Sequence, residues 1–270
     1  MSALKIAFIG TGNMAGAIIR GLAKTQTGQV EMGLYDLDTE KSAALAAETE
    51  AMVAEDAAAA VLFGDVIVLA VKPQGVAGLL KEIAPVLAEA EGHKVVVSVA
   101  AGVELAVYEQ ALPGVAVCRA MPNTSCAVLA AITGLMAGQH LQAEDKAKVE
   151  QIFQAVGKTL WIPEEEIHAL IAVSGSGPAY FYYFTEQMAK AGERLGLSPE
   201  VAAALARQTA VGAGKMLAEK TESAETLRLQ VTSPNGTTAE AIAAFEKELP
   251  EMVYHAMAAC AKRSEELAKA

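Results

Sequence analysis

Through the first half of the chain, short apolar runs rich in β-branched residues alternate with longer stretches of helical period. Lys5–Ile9, Glu31–Asp36, Asp65–Val71, Lys94–Ser98 and Val115–Arg119 read as strands, and Glu50–Val53 as a weaker one. Helices are predicted from about Asn13, over Thr39–Ala47, from Pro73 (a proline suits the first helical position) and from about Glu104. Strand–helix alternation of this kind predicts a parallel, doubly wound α/β sheet. Further on, Cys126–Met136 is apolar and rich in small residues, Gln142–Val156 has helical spacing, and Lys158–Ile162 is strand-like. These segments are expected to add edge strands and to close a first domain at residues 1–162.

Beyond Pro163 the strand pattern stops, and residues 163–270 read as an all-α domain. Glu164–Glu166 opens a helix, where acids suit the positive dipole end. Ser174–Pro178 breaks the pattern before a long helix to about Leu195, within which Tyr180–Phe184 reads as packing rather than cofactor contact. Ser198-Pro199 caps the next helix, reaching about Lys220, and Ala239–Leu249 and Glu251–Leu267 read as the last two. This Ala-rich half is able to bury an apolar face against a second copy.

Composition narrows the function classes. The 270 residues are 53% hydrophobic, ample for a core, and a net charge of −11 argues against a nucleic-acid surface. Cys118, Cys126 and Cys260 show no CxxC spacing and read as buried free thiols of a reducing compartment. His93, His140, His168 and His255 are scattered without metal-ligand spacing. No apolar run reaches membrane-spanning length, and the N-terminal one is consumed by a strand and its turn rather than by a signal peptide. A soluble cytoplasmic protein is expected.

Candidate chemistry begins at the first turn. Gly10-x-Gly12-x-x-Ala15 follows a buried strand and opens a helix, the context in which a glycine pattern signals dinucleotide binding. Gly10 suits the tight turn, Gly12 the close approach of a pyrophosphate, and Ala15 the packing of helix on strand; the helix from Asn13 aims its amides at the anion. Asp36, 24 positions beyond Gly12, either accepts from an adenosine ribose 2′-OH, favouring NADH, or caps the following helix. Lys72 stands at the carboxyl end of its strand, where open sheets bind ligands, or is a solvated loop lysine. In the second half, Gln230–Thr238 combines hydroxyls, a glycine and a following helix. That arrangement is either an anion site fit for a carboxylate or plain N-capping by Thr237 or Thr238.

Three motifs taken together, Arg119-Ala-Met-Pro-Asn-Thr124, Ser174-Gly-Ser-Gly-Pro-Ala-Tyr180 and Val231-Thr-Ser-Pro-Asn-Gly-Thr-Thr238, resemble the Δ1-pyrroline-5-carboxylate reductase family. With the turn at Gly10 and Ala70-Val-Lys-Pro73, the resemblance runs through nearly the whole chain. It implies an N-terminal Rossmann domain and a C-terminal helical dimerisation domain, in homodimers that in some members assemble to homodecamers. It also implies hydride transfer from NADPH or NADH to the imine carbon of pyrroline-5-carboxylate, giving L-proline in the final step of proline biosynthesis. The cofactor would touch Gly10, Thr11, Gly12, Asn13, Met14, the turn after the second strand at Asp36, Ala70, Val71, Lys72, Pro73, Val99, Ala100 and Ala101. The substrate would meet Ser233 and the backbone at Gly236, Thr237 and Thr238, with the Thr238 hydroxyl facing the ring nitrogen as the catalytic group and Glu164 near the pocket.

The chemistry agrees with that set. A cyclic imine needs its nitrogen protonated or hydrogen-bonded and its carbon within hydride reach, with no strong base and no activated nucleophile. Two departures from the family pattern stand out. Leu37 follows Asp36 where an arginine or small polar residue often holds a 2′-phosphate, and Asn235 replaces a common glycine, a change that asparagine's tolerance of positive φ accommodates. The alternatives are a β-hydroxyacid or ketopantoate-type reductase, which would need a catalytic lysine such as Lys190 or Lys215, and a dinucleotide-binding protein without turnover.

Overall fold

A computed structural model describes residues 3–268. Its sheet comprises β1 (Leu4–Ile9), β2 (Val30–Tyr35), β3 (Met52–Val53), β4 (Val66–Leu69), β5 (Val95–Ser98), β6 (Ala116–Met121), β7 (Ala131–Ala137) and β8 (Gly157–Trp161). The strands lie in the order β3-β2-β1-β4-β5-β6-β7-β8, parallel throughout except where β6 meets β7. The order reverses between β1 and β4, so the switch point, where such sheets take their ligands, lies at the carboxyl ends of these two strands.

Six helices connect these strands: α1 (Asn13–Thr25), α2 (Thr39–Thr49), α3 (Ala57–Phe63), α4 (Pro73–Glu89), α5 (Leu105–Ala111) and α6 (Ala143–Gln154). The two-residue period of β1 decides the layering. Ile6 and Phe8 join one core with Ile18, Ile19, Leu22, Val149 and Phe153, while Ala7 and Ile9 join the other with Val76, Leu80, Ile83 and Tyr108. Burying each large apolar side chain contributes about 1.5–3 kcal/mol, so this two-sided core holds strands as short as β4. The sequence pattern finds the principal strands and misses α3, whose alanine run carries little amphipathic contrast.

The chain divides into two compact units: residues up to Gly175 together with the stretch from Ala261, and Ser176–Cys260. The sequence-based boundary at 162 differs from this division at two short segments, one after Pro163 and one from Ala261. In the first, α7 (Ile167–Leu170) sits in the sheet unit, with Ile167 buried in the second core and Leu170 and Ile171 packed beside it. The end of the last helix belongs there too, with His168 Nδ1 and Ser264 Oγ 2.9 Å apart. Glu164–Glu166 forms a single 3₁₀ turn that runs directly into α7, the helical start expected of it.

The second unit is helical: α8 (Gly177–Arg194), α9 (Pro199–Glu219), α10 (Ala224–Gln230), α11 (Thr237–Phe245) and most of α12 (Leu249–Ala268). Ser198 caps α9 by accepting from the Val201 amide, whereas α10, capped by Ser223, escapes the sequence pattern. The reading of Tyr180–Phe184 as packing fails within the chain. Phe181, Tyr182 and Tyr183 are 69%, 68% and 64% exposed. Phe184 alone finds an aromatic neighbour, Phe245, at 5.9 Å between ring centroids.

All three cysteines are free. Cys118 and Cys126 are buried, and burial pushes the Cys126 thiol up to about 11. Cys260 departs from the expectation, being only half-buried, with its thiol 3.3 Å from Ser176 Oγ. Among the described residues no helix is long and apolar enough to cross a membrane, and no cluster of His, Cys, Asp and Glu could hold a metal ion.

Candidate active site

The β1–α1 turn is built by close approach. Gly10 has φ +98°, and a Cβ there would lie 2.6 Å from the Ala70 carbonyl oxygen. Two hydrogen bonds of 2.8 Å hold the neighbouring strand ends together, Gly10 N–H to the Tyr35 carbonyl and Ala70 N–H to the Ile9 carbonyl. Around Gly12 the situation is opposite, because a Cβ there would meet nothing within 4 Å. No side chain caps α1 and no acid stands in its first turn, so its positive end faces that open space. This is the cradle a pyrophosphate requires, and the residues present fit a dinucleotide.

Asp36 does not take the capping role weighed for it. Its Oδ2 accepts from the Thr11 amide at 2.6 Å and the Thr11 hydroxyl at 2.9 Å, while Oδ1 accepts from the Asp38 amide at 3.0 Å. Partial burial raises its pKa, but the hydrogen bonds from Thr11 and Asp38 outweigh that and hold the carboxyl below its usual range. The cap of α2 is Asp38 instead, accepting from the Lys41 amide. Asp36 therefore ties the glycine turn to the turn after β2, and Thr11 N–H is spent on this link. Leu37 beside it is 89% exposed.

The remaining residues of the expected cofactor set lie at the same edge. Ala70, Val71, Lys72 and Pro73 connect β4 to α4, Lys72 exposed at the N-cap and Pro73 at the first turn. Val99, Ala100 and Ala101 follow β5. Asn13 and Met14 begin α1. Unit one thus gathers every residue of that set at the carboxyl ends of β1, β2, β4 and β5.

The expected substrate residues divide between the units. Ser233, Gly236, Thr237 and Thr238 form the turn from α10 into α11, with Asn235 at φ +59°, the left-handed conformation that asparagine tolerates. Gly236 N–H donates to the Ser233 carbonyl at 3.0 Å and is committed to the turn itself. Gly236 is the N-cap of α11 and no side chain caps that helix, so capping by Thr237 or Thr238 does not occur. The amides of Thr237 and Thr238 open α11 without a side-chain partner.

Glu164 lies in unit one. Its Oε1 accepts from the Leu105 amide at 2.8 Å and from Arg119 Nη1 at 2.7 Å. Arg119 is 3% exposed, and a cavity of about 280 Å³ lined by Glu104, Arg119, Glu164, Glu165, Ile167 and His168 opens beside the pair. Asn123 of the same motif accepts from the Ser125 amide and donates to the Ser174 carbonyl at 3.1 Å, joining two of the three motifs. The sequence pattern gives Arg119 no role, although a charged residue inside an otherwise apolar strand is a signal of one. Lys190 pairs with Glu186 on the surface of α8, away from any cluster that would make it a catalytic base.

A doubly wound sheet with an uncapped glycine cradle at its switch point defines a Rossmann-type dinucleotide-binding fold. Residues 164–267 match the family model described as pyrroline-5-carboxylate reductase dimerisation, and residues 5–102 the model described as NADP oxidoreductase, coenzyme F420-dependent. Pyrroline-5-carboxylate reductase of Pseudomonas aeruginosa is 42% identical, the alignment covering 100% of this chain and 98% of that protein. The solved pyrroline-5-carboxylate reductase of Coxiella burnetii is similar at 35% identity and a TM-score of 0.93, over 99% of both chains. That of Plasmodium falciparum, with NADP bound, is 27% identical with a TM-score of 0.81, also over 99% of both chains. The chain belongs to the pyrroline-5-carboxylate reductase family.

Proposed function

We propose that this chain reduces Δ1-pyrroline-5-carboxylate to L-proline. The observation that carries this reading is the full-length similarity to reductases of that name, joined to an intact Val231–Thr238 turn with Asn235 in the conformation the turn demands. A bound nicotinamide dinucleotide supplies the hydride that reaches the imine carbon. The chain supplies placement. The uncapped start of α1 and the open space at Gly12 receive the pyrophosphate, and the loops after β4 and β5 hold the nicotinamide half. The amides of Thr237 and Thr238 bind the substrate carboxylate, Ser233 and Gly236 shape their turn, and the Thr238 hydroxyl orients the ring nitrogen, which carries the added proton in the product. Glu164, which accepts from the Leu105 amide and Arg119, is assigned to the edge of the substrate pocket.

Charge favours NADH over NADPH. The turn after β2 presents Asp36, Asp38 and Glu40 with no cation before Lys41, so a 2′-phosphate would meet carboxylates. The helical unit forms a homodimer through the face carrying Phe181, Tyr182 and Tyr183, supported by their exposure and by the dimerisation model that matches this half. The free cysteines fit a cytoplasmic protein.

The test is loss of nicotinamide absorbance with pyrroline-5-carboxylate, NADH and NADPH side by side, with proline identified as product. Oxidation with a kcat/KM ratio favouring NADH is expected. Folded, dinucleotide-binding protein that oxidises neither cofactor would refute the assignment, and a ratio favouring NADPH would refute the charge argument.

A further inference from the structure

The loop after β5 is fastened at both ends by polar groups, buried at its start and part-buried at its end. At its start, Ser98 Oγ and Tyr108 Oη lie 2.6 Å apart, both residues fully buried, and Ser98 Oγ also accepts from the Ala100 amide at 3.2 Å. At its end, the Leu105 amide that opens α5 donates to Glu164 Oε1, the same oxygen that receives Arg119. Ser98 and Arg119 are register partners on adjacent strands β5 and β6, so both fastenings stand on one rung of the sheet. Between them lie Val99, Ala100, Ala101 and Gly102, the last at φ +78°.

Neither fastening is needed to fill the core. Phenylalanine fills the space of Tyr108, and an apolar residue at 119 would avoid burying a charge, since a buried ion pair is a weak source of stability. What the four groups provide is one geometry for a loop that has a left-handed glycine and little side-chain bulk of its own. Mutually bonded polar groups in a largely buried setting hold such geometry well.

We infer that Tyr108, Ser98, Arg119 and Glu164 are positioning residues for the reaction: they fix the 99–102 loop so that the nicotinamide half of the cofactor is held in hydride reach. The inference rests on the reading given above for the loop. It separates the two halves of the cofactor, because the adenosine side contacts Gly12 and the turn at Asp36, outside this network.

The test uses the full chain with Tyr108→Phe and Glu164→Gln, the first volume-conserving, the second keeping an acceptor for Leu105 but losing the charge facing Arg119. Affinities for NADH and for ADP-ribose are measured by calorimetry. Hydrogen exchange at the Ala100 and Leu105 amides is followed without cofactor, and kcat is measured with saturating substrates. Expected are a three- to thirtyfold fall in kcat, weaker NADH binding with ADP-ribose binding within twofold of wild type, and faster exchange at those amides. Equal losses for NADH and ADP-ribose would mark a merely structural role and overturn the inference, as would unchanged kcat, NADH affinity and exchange in both variants. A wild-type protein that binds NADH but does not oxidise it with pyrroline-5-carboxylate would instead overturn the functional reading, while the affinity split and exchange data would still judge the loop.

Discussion

Replacing Gly10 and Gly12 by alanine, one at a time, separates the architecture of the cradle from its occupancy. At Gly10 the added Cβ meets two penalties. A φ of +98° costs an L-residue about 1–2 kcal/mol. The methyl would also lie 2.6 Å from the Ala70 oxygen and 2.8 Å from its carbon, backbone atoms that cannot rotate aside because Ala70 N–H is bonded to the Ile9 carbonyl. Overpacking of that kind costs about 1–3 kcal/mol, giving a total of roughly 2–5 kcal/mol. At Gly12 the φ of −63° is ordinary and the space is open, so only the weaker N-cap preference of alanine is felt, about 1 kcal/mol or less. Urea denaturation should show the Gly10→Ala midpoint lowered by about 1 M or more and that of Gly12→Ala little changed. Dinucleotide titration should show both weakened, Gly12→Ala because its methyl stands where the pyrophosphate approaches. A Gly10→Ala protein as stable as wild type, or a Gly12→Ala protein with unaltered dinucleotide affinity, would refute the division of roles.

Other substitutions probe the remaining groups. Thr238→Ala should lower kcat roughly 10²-fold, the scale of losing one hydrogen bond made at the reacting centre, with dinucleotide affinity in a titration unchanged. Asp36→Asn should destabilise the chain at neutral pH, because the folded carboxyl is held below its ordinary value by Thr11 and Asp38. That contribution is present above the unfolded pKa of about 3.9 and is lost as pH falls through the lower folded value, so wild-type and variant stabilities should converge in acid-titrated melts. Phe181→Glu places a charge on the exposed aromatic face of α8 and should shift sedimentation toward monomer, whereas a variant that remains dimeric would move the interface elsewhere.

The legible parts of this chain were those where local pattern and tertiary role coincide. β1, β4 and β5 are apolar because they are covered on both faces, and the glycines of the first turn announce a backbone approach that the Gly10–Ala70 distance makes explicit. Ser198 and Pro73 mark their helices for local reasons and do so in the structure. Less legible were residues whose partners are remote in sequence. Nothing near Asp36 indicates that Thr11 saturates it, nothing near Glu164 points to Leu105 and Arg119, and nothing near Gly236 shows that its amide is spent within its own turn. The aromatic run of α8 misled in another way: its composition suggests packing, yet Phe181, Tyr182 and Tyr183 find no cover within the chain.

The distribution of perturbed groups bears on why so little side-chain chemistry is needed. Asp36 and Tyr108 are the shifted groups nearest the loops assigned to the cofactor. Asp36 is shifted to stay ionised, and Tyr108 is shifted upward, mainly by burial, to keep its proton. Each is thereby held in the protonation state that maintains a hydrogen bond, the opposite of a group poised to exchange protons near neutral pH. A reductase of ketones or hydroxy acids must deliver a proton to oxygen and would require such a poised group. A cyclic imine needs its nitrogen only protonated or hydrogen-bonded, and what remains is to bring two rings together in one orientation. Polar pairs hold the edge of the sheet where that orientation would be set: Thr11 with Asp36 at the glycine turn, Ser98 with Tyr108 at the start of the loop after β5, and Arg119 with Glu164 at its end.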